Sequence, residues 1–134
     1  MPDPATVERR SQCPINVALE LIGDKWTLLI VRDLMLKGKR HFAELLDGGE
    51  GIASNVLTDR LAKLEANGLI DRKRFDEDGR RVIYRLTAKG EGLAPTLYEL
   101  ILWAAKHEST AAPAAEIAAM LEDRDAYLRA MRGS

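Results

Sequence analysis

Ser54, Asn55, Thr58, Asp59, Ala62 and Lys63 recur at steps of one, three and four, so a helix through them carries all six on one side. Short hydroxyl and amide groups near the N-terminus of such a helix can reach base edges in the major groove of duplex DNA. An asparagine can also pair bidentately with adenine. Ser54, Asn55 and Thr58 meet that need, and Ala62 shares their face. Asp59 repels phosphate, so it either accepts from a cytosine amino group or lies off the groove. The plainer alternative is a helix face that is polar only because water covers it.

A second group is basic. Arg72, Lys73, Arg74, Arg80, Arg81 and Arg85 flank the acidic stretch Asp76-Glu77-Asp78-Gly79. A ribbon of this kind can grip a phosphate backbone, fixing position and salt dependence rather than sequence preference. Lys39, Arg40, Arg60 and Lys63 are further candidates for phosphate contact, against the alternative of a solvated, charge-balanced surface. The third candidate is Cys13. Pro14 at a first helical position makes Cys13 the N-cap, where unpaired amides and the helix dipole favour thiolate, the form that meets oxidants. That reading competes with a buried packing role, common for free cysteine.

Enzymatic chemistry finds little support. The sequence has no phosphate loop, no glycine-rich dinucleotide fingerprint and no His/Cys cluster at metal spacing, so neither a cofactor nor a metal is expected. His41 and His107 stand apart, and Cys13 has no base beside it in sequence for a thiol enzyme. Aromatic residues make up 5%, too few for a single-strand stacking platform.

The elements that must position these residues follow from spacing. Pro14 to Ile22 reads as a helix ended by Gly23. Asp24 reads as the cap of a second helix from Lys25 to about Leu36, apolar on two sides and therefore central and buried all round. A short helix, Phe42 to Leu46, and a glycine-rich turn lead to a helix capped by Ser54 and running to about Ala66. Its stripe is Val56, Leu57, Leu61 and Leu64. The period then changes to two: Leu69–Phe75 and Arg81–Leu86 form a hairpin with its tip at Asp76–Gly79. Thr87 caps a long helix bent at Pro95 and reaching about Glu108. A last helix follows Pro113 to about Met131, with the stripe Ile117, Leu121 and Leu128. The order of helix, helix, turn, helix, ribbon and helix is that of a winged helix-turn-helix: mainly α with a small β-hairpin wing.

With 134 residues the chain is long enough for one domain with its own core. Net charge is −1, but Lys25–Lys89 carries an excess of four positive charges and the flanks an excess of five negative ones. A basic centre suits a polyanion. The longest central apolar run, Leu28–Val31, is far too short to span a membrane, and Met1-Pro2-Asp3-Pro4 does not open a secretory signal. With a single cysteine no intrachain disulfide is available, and the expected compartment is the reducing cytoplasm.

Several stretches resemble one family. Cys13-Pro14 followed by Ala18–Ile30, Arg40–Leu45, Gly51–Ser54, Leu57–Leu61, Leu64–Ile70 and Val82–Gly90, with Trp103 beyond, are similar to the motifs of HxlR-type transcriptional regulators. The resemblance runs from Gln12 to Glu108. It implies a homodimer, built by its first and last helices, that binds a pseudo-palindromic operator in double-stranded DNA as a regulator, expected to be a repressor. Leu97, Ile101, Trp103 and Ala104 are the expected interface, against the alternative that they close the chain's own core, as several must. Some regulators of this family sense oxidants through a cysteine at the Cys-Pro position, which assigns that role to Cys13 and leaves the signal open between an oxidant and a small molecule. Where relatives often carry proline in the hairpin this chain has Asp78-Gly79-Arg80, and the helix after Pro113 lies outside the resemblance. The division expected is a flexible lead (1–12), the winged helix-turn-helix with its dimerisation helices (13–108) and a C-terminal helical extension (109–134). The rival function is a winged helix that binds only protein, with little affinity for duplex DNA.

Overall fold

The computed structural model describes residues 8–74 and 81–133. The expected hairpin tip, with Arg80, lies outside them, as does Ser134.

Helix α1 (Pro14–Ile22) starts on its proline, where a missing N–H costs nothing. Asn16, only 8% exposed, ties the preceding segment to it. Its amide oxygen accepts from Arg10 Nε and Nη2 at 3.2 and 2.9 Å, and its amide nitrogen donates to the Ser11 carbonyl at 2.9 Å. The lead expected to fray is therefore anchored from Arg10 onward.

Helix α2 (Thr27–Leu36) begins two residues later than its spacing predicts. Asp24 still satisfies its first amides: Oδ2 accepts from Trp26 N at 3.0 Å and Thr27 N at 3.1 Å, and Oδ1 accepts from the Thr27 hydroxyl. Ile30, Val31, Leu34 and Met35 are fully buried, and α2 touches β2, α6 and α8 defined below. It is central, but not buried all round: Trp26 and Leu28 are half-buried and Leu36 is exposed.

Helices α3 (Phe42–Leu46) and α4 (Ser54–Ala66) flank the glycine turn. Leu45 and the α4 stripe Leu57, Leu61 and Leu64 enter the core, while Val56 is half-buried. Gly68, at φ +74°, supplies the left-handed residue that turns the chain out of α4. Strands β1 (Ile70–Arg74) and β2 (Val82–Leu86) pair antiparallel with Ile70 opposite Leu86 and Arg74 opposite Val82. The Tyr84 amide also donates to the Arg40 carbonyl at 2.8 Å, fastening the wing to the segment before α3.

The single bent helix expected after Thr87 is two helices, α5 (Ala88–Glu91) and α6 (Ala94–His107). Thr87 caps α5, its hydroxyl accepting from Gly90 N at 3.1 Å. Pro95 stands in the first turn of α6, where no backbone donor is needed; a new helix start costs less than a kink. The terminal helix is likewise split, into α7 (Ala114–Glu122) and α8 (Arg124–Arg132), because Asp123 leaves helical backbone geometry and caps α8 through Ala126 N. Its buried stripe differs from expectation. Met120, Leu128 and Met131 are in the core, whereas Leu121 is 64% exposed. The buried Tyr98 hydroxyl donates to the Met120 carbonyl at 2.6 Å, satisfying one of the last orphan acceptors of α7.

Asp24 also accepts from Arg60 Nε of α4 at 2.8 Å. Burial alone would raise its pKa; hydrogen bonds from Thr27, Arg60 and the Trp26 and Thr27 amides outweigh this and hold it at about 2, against 3.8 ordinarily. A folded-state pKa below the unfolded one stabilises the fold fully above about pH 4, and the contribution vanishes as pH falls toward 2. Asp24→Asn, which keeps capping ability and loses the charge, should cost about 1 kcal/mol at pH 7, since a third of the side chain remains in water. Urea unfolding at pH 7, 5 and 3 tests this: the gap between the two proteins should be constant from pH 7 to 5 and narrow at pH 3.

Candidate nucleic-acid interface

With Leu57, Leu61 and Leu64 turned inward, the other side of α4 faces solvent. Ser54, Asn55, Thr58, Asp59, Ala62 and Lys63 are all exposed. Ala53, not Ser54, occupies the cap position, so Ser54 is the first helical residue, and its carbonyl accepts from the Thr58 hydroxyl at 2.9 Å. That bond occupies the Thr58 proton and leaves its oxygen an acceptor toward any ligand. Asn55 is the amide on this face. Asp59 accepts from Lys63 Nζ at 3.3 Å and from Arg60 Nη1, and these cations hold its carboxyl below the usual range. The negative charge that would oppose phosphate is thereby partly neutralised by its own helix neighbours.

Three of the phosphate-contact candidates are spent inside the fold. The Arg60 guanidinium is committed to Asp24 and Asp59. Arg40 Nη1 donates to the carbonyls of Leu34 at 2.8 Å and Lys39 at 2.7 Å, closing the turn after α2. Lys39 Nζ lies 3.7 Å from Asp33, a carboxylate only 4% exposed that also takes Arg32 Nε and Nη2 at 3.0 and 2.9 Å. Arg32 in turn reaches Glu50 at 2.9 Å across the glycine turn. A Cβ at Gly48 would stand 2.7 Å from Asp33 Oδ2 and 3.1 Å from the Leu45 carbonyl oxygen, so a side chain there would have to displace the carboxylate. Nothing in the spacing of Asp33 marked it as this hub, because an aspartate inside an apolar helix gives no pattern of its own.

The wing divides the remaining cations between its faces. Directly opposed residues share a face of a sheet, so Arg72 lies beside Tyr84, and Arg74 beside Val82, on the side carrying Ile70 and Leu86 into the protein. Lys73, paired with Ile83, and Arg85, paired with Asp71, are on the other side. Arg72, Lys73, Arg74, Arg81 and Arg85 are exposed. Arg72 and Tyr84 also line a cleft of about 430 Å³ whose opposite wall is Thr58, Leu61 and Ala62 of α4. Recognition-type helix and basic ribbon thus form two walls of one trough. His41 joins them from below: Nδ1 is 3.2 Å from the Val82 carbonyl, which requires the hydrogen on that nitrogen.

Cys13 is exposed at the start of α1. The amides of Asn16 and Ile15 favour its thiolate and lower its pKa. Among the expected interface residues Leu97 is 6% exposed and belongs to the monomer core, where the face of α6 opposite Trp103 packs. Ile101 and Ala104 are half-buried, and Trp103 is 62% exposed beside Leu100. No group of acidic, histidine or cysteine side chains suited to a metal occurs among the described residues, and no helix there is long and apolar enough to cross a membrane.

Comparison with known proteins agrees with this arrangement. The family model for HxlR-like helix-turn-helix proteins matches residues 21–112. The uncharacterised HTH-type transcriptional regulator sll1512 of Synechocystis is 41% identical over 85 residues, covering 63% of this chain and 62% of that one. The chain thus aligns with somewhat less than two thirds of that relative. The HTH-type transcriptional regulator YodB of Bacillus subtilis is 35% identical over 95 residues, covering 70% of this chain and 84% of its own. The reduced form of YodB superposes with a TM-score of 0.61 at 32% identity, over 72% of this chain and 95% of that one. The redox regulator HypR in its reduced form gives 0.62 at 30% identity, over 70% and 92%. These relatives are regulators rather than enzymes, and the shared fold is the winged helix-turn-helix. On the match across residues 21–112, the chain belongs to the HxlR-like helix-turn-helix family.

Proposed function

We propose that the protein is a homodimeric, sequence-specific regulator of transcription that binds double-stranded DNA, acting as a repressor in the cytoplasm. The observation that carries the reading is the exposed polar face of α4 set beside the basic ribbon of the wing. Asn55, with Ser54, Thr58 and Ala62, reads base edges, and Asp59 bounds that face. Arg72, Lys73, Arg74, Arg81 and Arg85, with Lys63 and Arg80, hold phosphates. In a twofold dimer the two α4 helices enter successive major grooves about 34–36 Å apart. Asn55→Ala should cost about 1–3 kcal/mol on the specific operator and little on random duplex. Lys73→Ala should weaken both alike and lower the salt slope by about one. Operators selected from a genomic fragment pool and titrated by fluorescence anisotropy supply the comparison. Equal losses of Asn55→Ala on both duplexes would remove it as a reader.

The dimer reading rests on large apolar side chains left in water. Leu100 and Trp103 form a stripe on α6, with Ile101 and Ala104 at its edge, and Ile15 and Leu19 form another on α1, 71% and 59% exposed. Self-association of one patch about a twofold axis is the commonest way to cover such surface. Light scattering at micromolar concentration should give twice the chain mass, and Trp103→Asp should shift it toward that of one chain.

The signal we assign to the dimer is oxidation at Cys13. The exposed thiol and its lowered pKa support the reading, as does the likeness to HypR, described as a redox regulator. With one cysteine per chain, peroxide would take two thiols to an intersubunit disulfide, or one thiol and a small thiol to a mixed disulfide, itself being reduced to water. Mild peroxide should change operator affinity of the wild type and leave Cys13→Ser unaffected; an equal response of both would place the signal elsewhere.

A further inference from the structure

Helix α7 rests on the body by one end. Met120, fully buried and bonded through its carbonyl to the Tyr98 hydroxyl, fixes the C-terminal half, and Tyr127 of α8 packs on the Tyr98 ring at 5.9 Å. Toward its start α7 stands off from α6, and the space between them is a cleft of about 580 Å³. Its walls are aliphatic, with Leu102 and Ala105 from α6 and Ile117 and Leu121 from α7. Its polar lining is Lys106, Glu108, Ser109 and Thr110, at the end of α6 and in the segment that follows. No aromatic side chain lines it.

We infer that this cleft is a binding site for an uncharged, largely apolar small molecule carrying a hydroxyl or carbonyl group at one end. The volume is that of small-molecule sites, and an apolar wall with polar groups confined to one edge is their usual composition. The chemistry of the head follows from that polar lining. With one lysine and one glutamate the lining carries no net charge to favour an ionised ligand, whereas the Ser109 and Thr110 hydroxyls can meet a neutral donor or acceptor. The cleft is also distinct from the proposed dimer stripe. At 100° per residue, Leu102 and Ala105 leave α6 about 100–160° away from Leu100 and Trp103, so the cleft and the centre of the stripe lie on different sides of the helix. All of α7 lies beyond the family match, which ends at residue 112. Service of this site as an effector site rests on the DNA-binding reading above; its existence does not.

The test needs no DNA and is therefore independent of that reading. The probe is N-phenyl-1-naphthylamine, a neutral dye fluorescent in apolar surroundings, titrated at a concentration where light scattering defines the oligomer. One dye should bind per chain, saturably. Ala105→Phe, which fills the cleft, should weaken it about tenfold. Leu121→Ser, at a position already exposed and safe for folding, should weaken it about threefold. Trp103→Ala should leave it unchanged. Absence of saturable binding overturns the site, as does loss with Trp103→Ala while Leu121→Ser has no effect, which would place the dye on the exposed stripe. A charged analogue, 1-anilinonaphthalene-8-sulfonate, should bind more weakly than the neutral dye in every protein, and equal or tighter binding overturns the assigned ligand class.

Discussion

Helix α4 is held to the protein by three leucines, and a reading helix held so lightly must be tied down by something other than its core. Leu57, Leu61 and Leu64 bury one narrow stripe, with Val56 and Arg60 half-buried beside it; the rest of its surface faces water. Apolar contact of that width fixes depth better than rotation, because leucine packing tolerates small turns about the helix axis. The polar ties fix the remainder. Asp24 caps α2 and holds Arg60 of α4 in the same carboxylate, and Asp33 binds the turn between α2 and α3 through Arg32 and Lys39, with Glu50 closing the loop. Both carboxylates belong to α2 or its cap, the element that also meets the wing, α6 and α8.

That arrangement sorts the basic residues by task. A cation engaged by a carboxylate or a main-chain carbonyl adds little to the field a polyanion meets, and moving it costs the tie. Arg60, Arg40 and Lys39 are in that class, so the positive face depends on the wing more than the count of lysines and arginines implies. Within the wing, register decides again. Arg72 is turned toward α4, and Lys73 to the outside, although they are neighbours in sequence. A strand's period of two is what separates them.

Periodicity made the fold legible because most elements carry one stripe each: Leu57-Leu61-Leu64 in α4, and the alternation through Tyr84 in β2. The exposed face of α4 was equally readable, being the complement of that stripe. What spacing misplaced has a common cause. Pro95 and Asp123 were taken inside long helices, yet each marks a fresh start, since a residue that suits the first turn of a helix or its cap looks like any other until the backbone before it is known. Leu121 and Met120 are adjacent, and with the helix broken at Asp123 the phase of the stripe shifts by one residue. Asp33 and Arg60 were invisible as partners because their ion pairs join residues far apart in sequence or hidden in an apolar run.

A signal that arrives at α1, whose Leu19 and Glu20 share a cleft with Arg60 and Lys63 of α4, or at the α6–α7 cleft has two ways to act on the face that would meet DNA: changing its chemistry or its placement. Among the described residues no hydrogen bond or ion pair carries the first to Asn55 or Thr58 from either region. The second has a physical route. The C-terminal helices pack on α6 and α2, and α2 holds α4 through Asp24. Two copies joined along α6 would place their α4 helices at a separation set by that chain of contacts, and a duplex accepts such a pair only near one helical turn. Because a ligand or an oxidised thiol shifts an equilibrium only by its differential free energy for two arrangements, the ties at Asp24 set a scale of about 1 kcal/mol per copy for any rearrangement that breaks them. Rigid rotation of whole subunits keeps those ties and costs none of it. In the proposed dimer the architecture would therefore favour movement between the two copies over movement inside the winged helix.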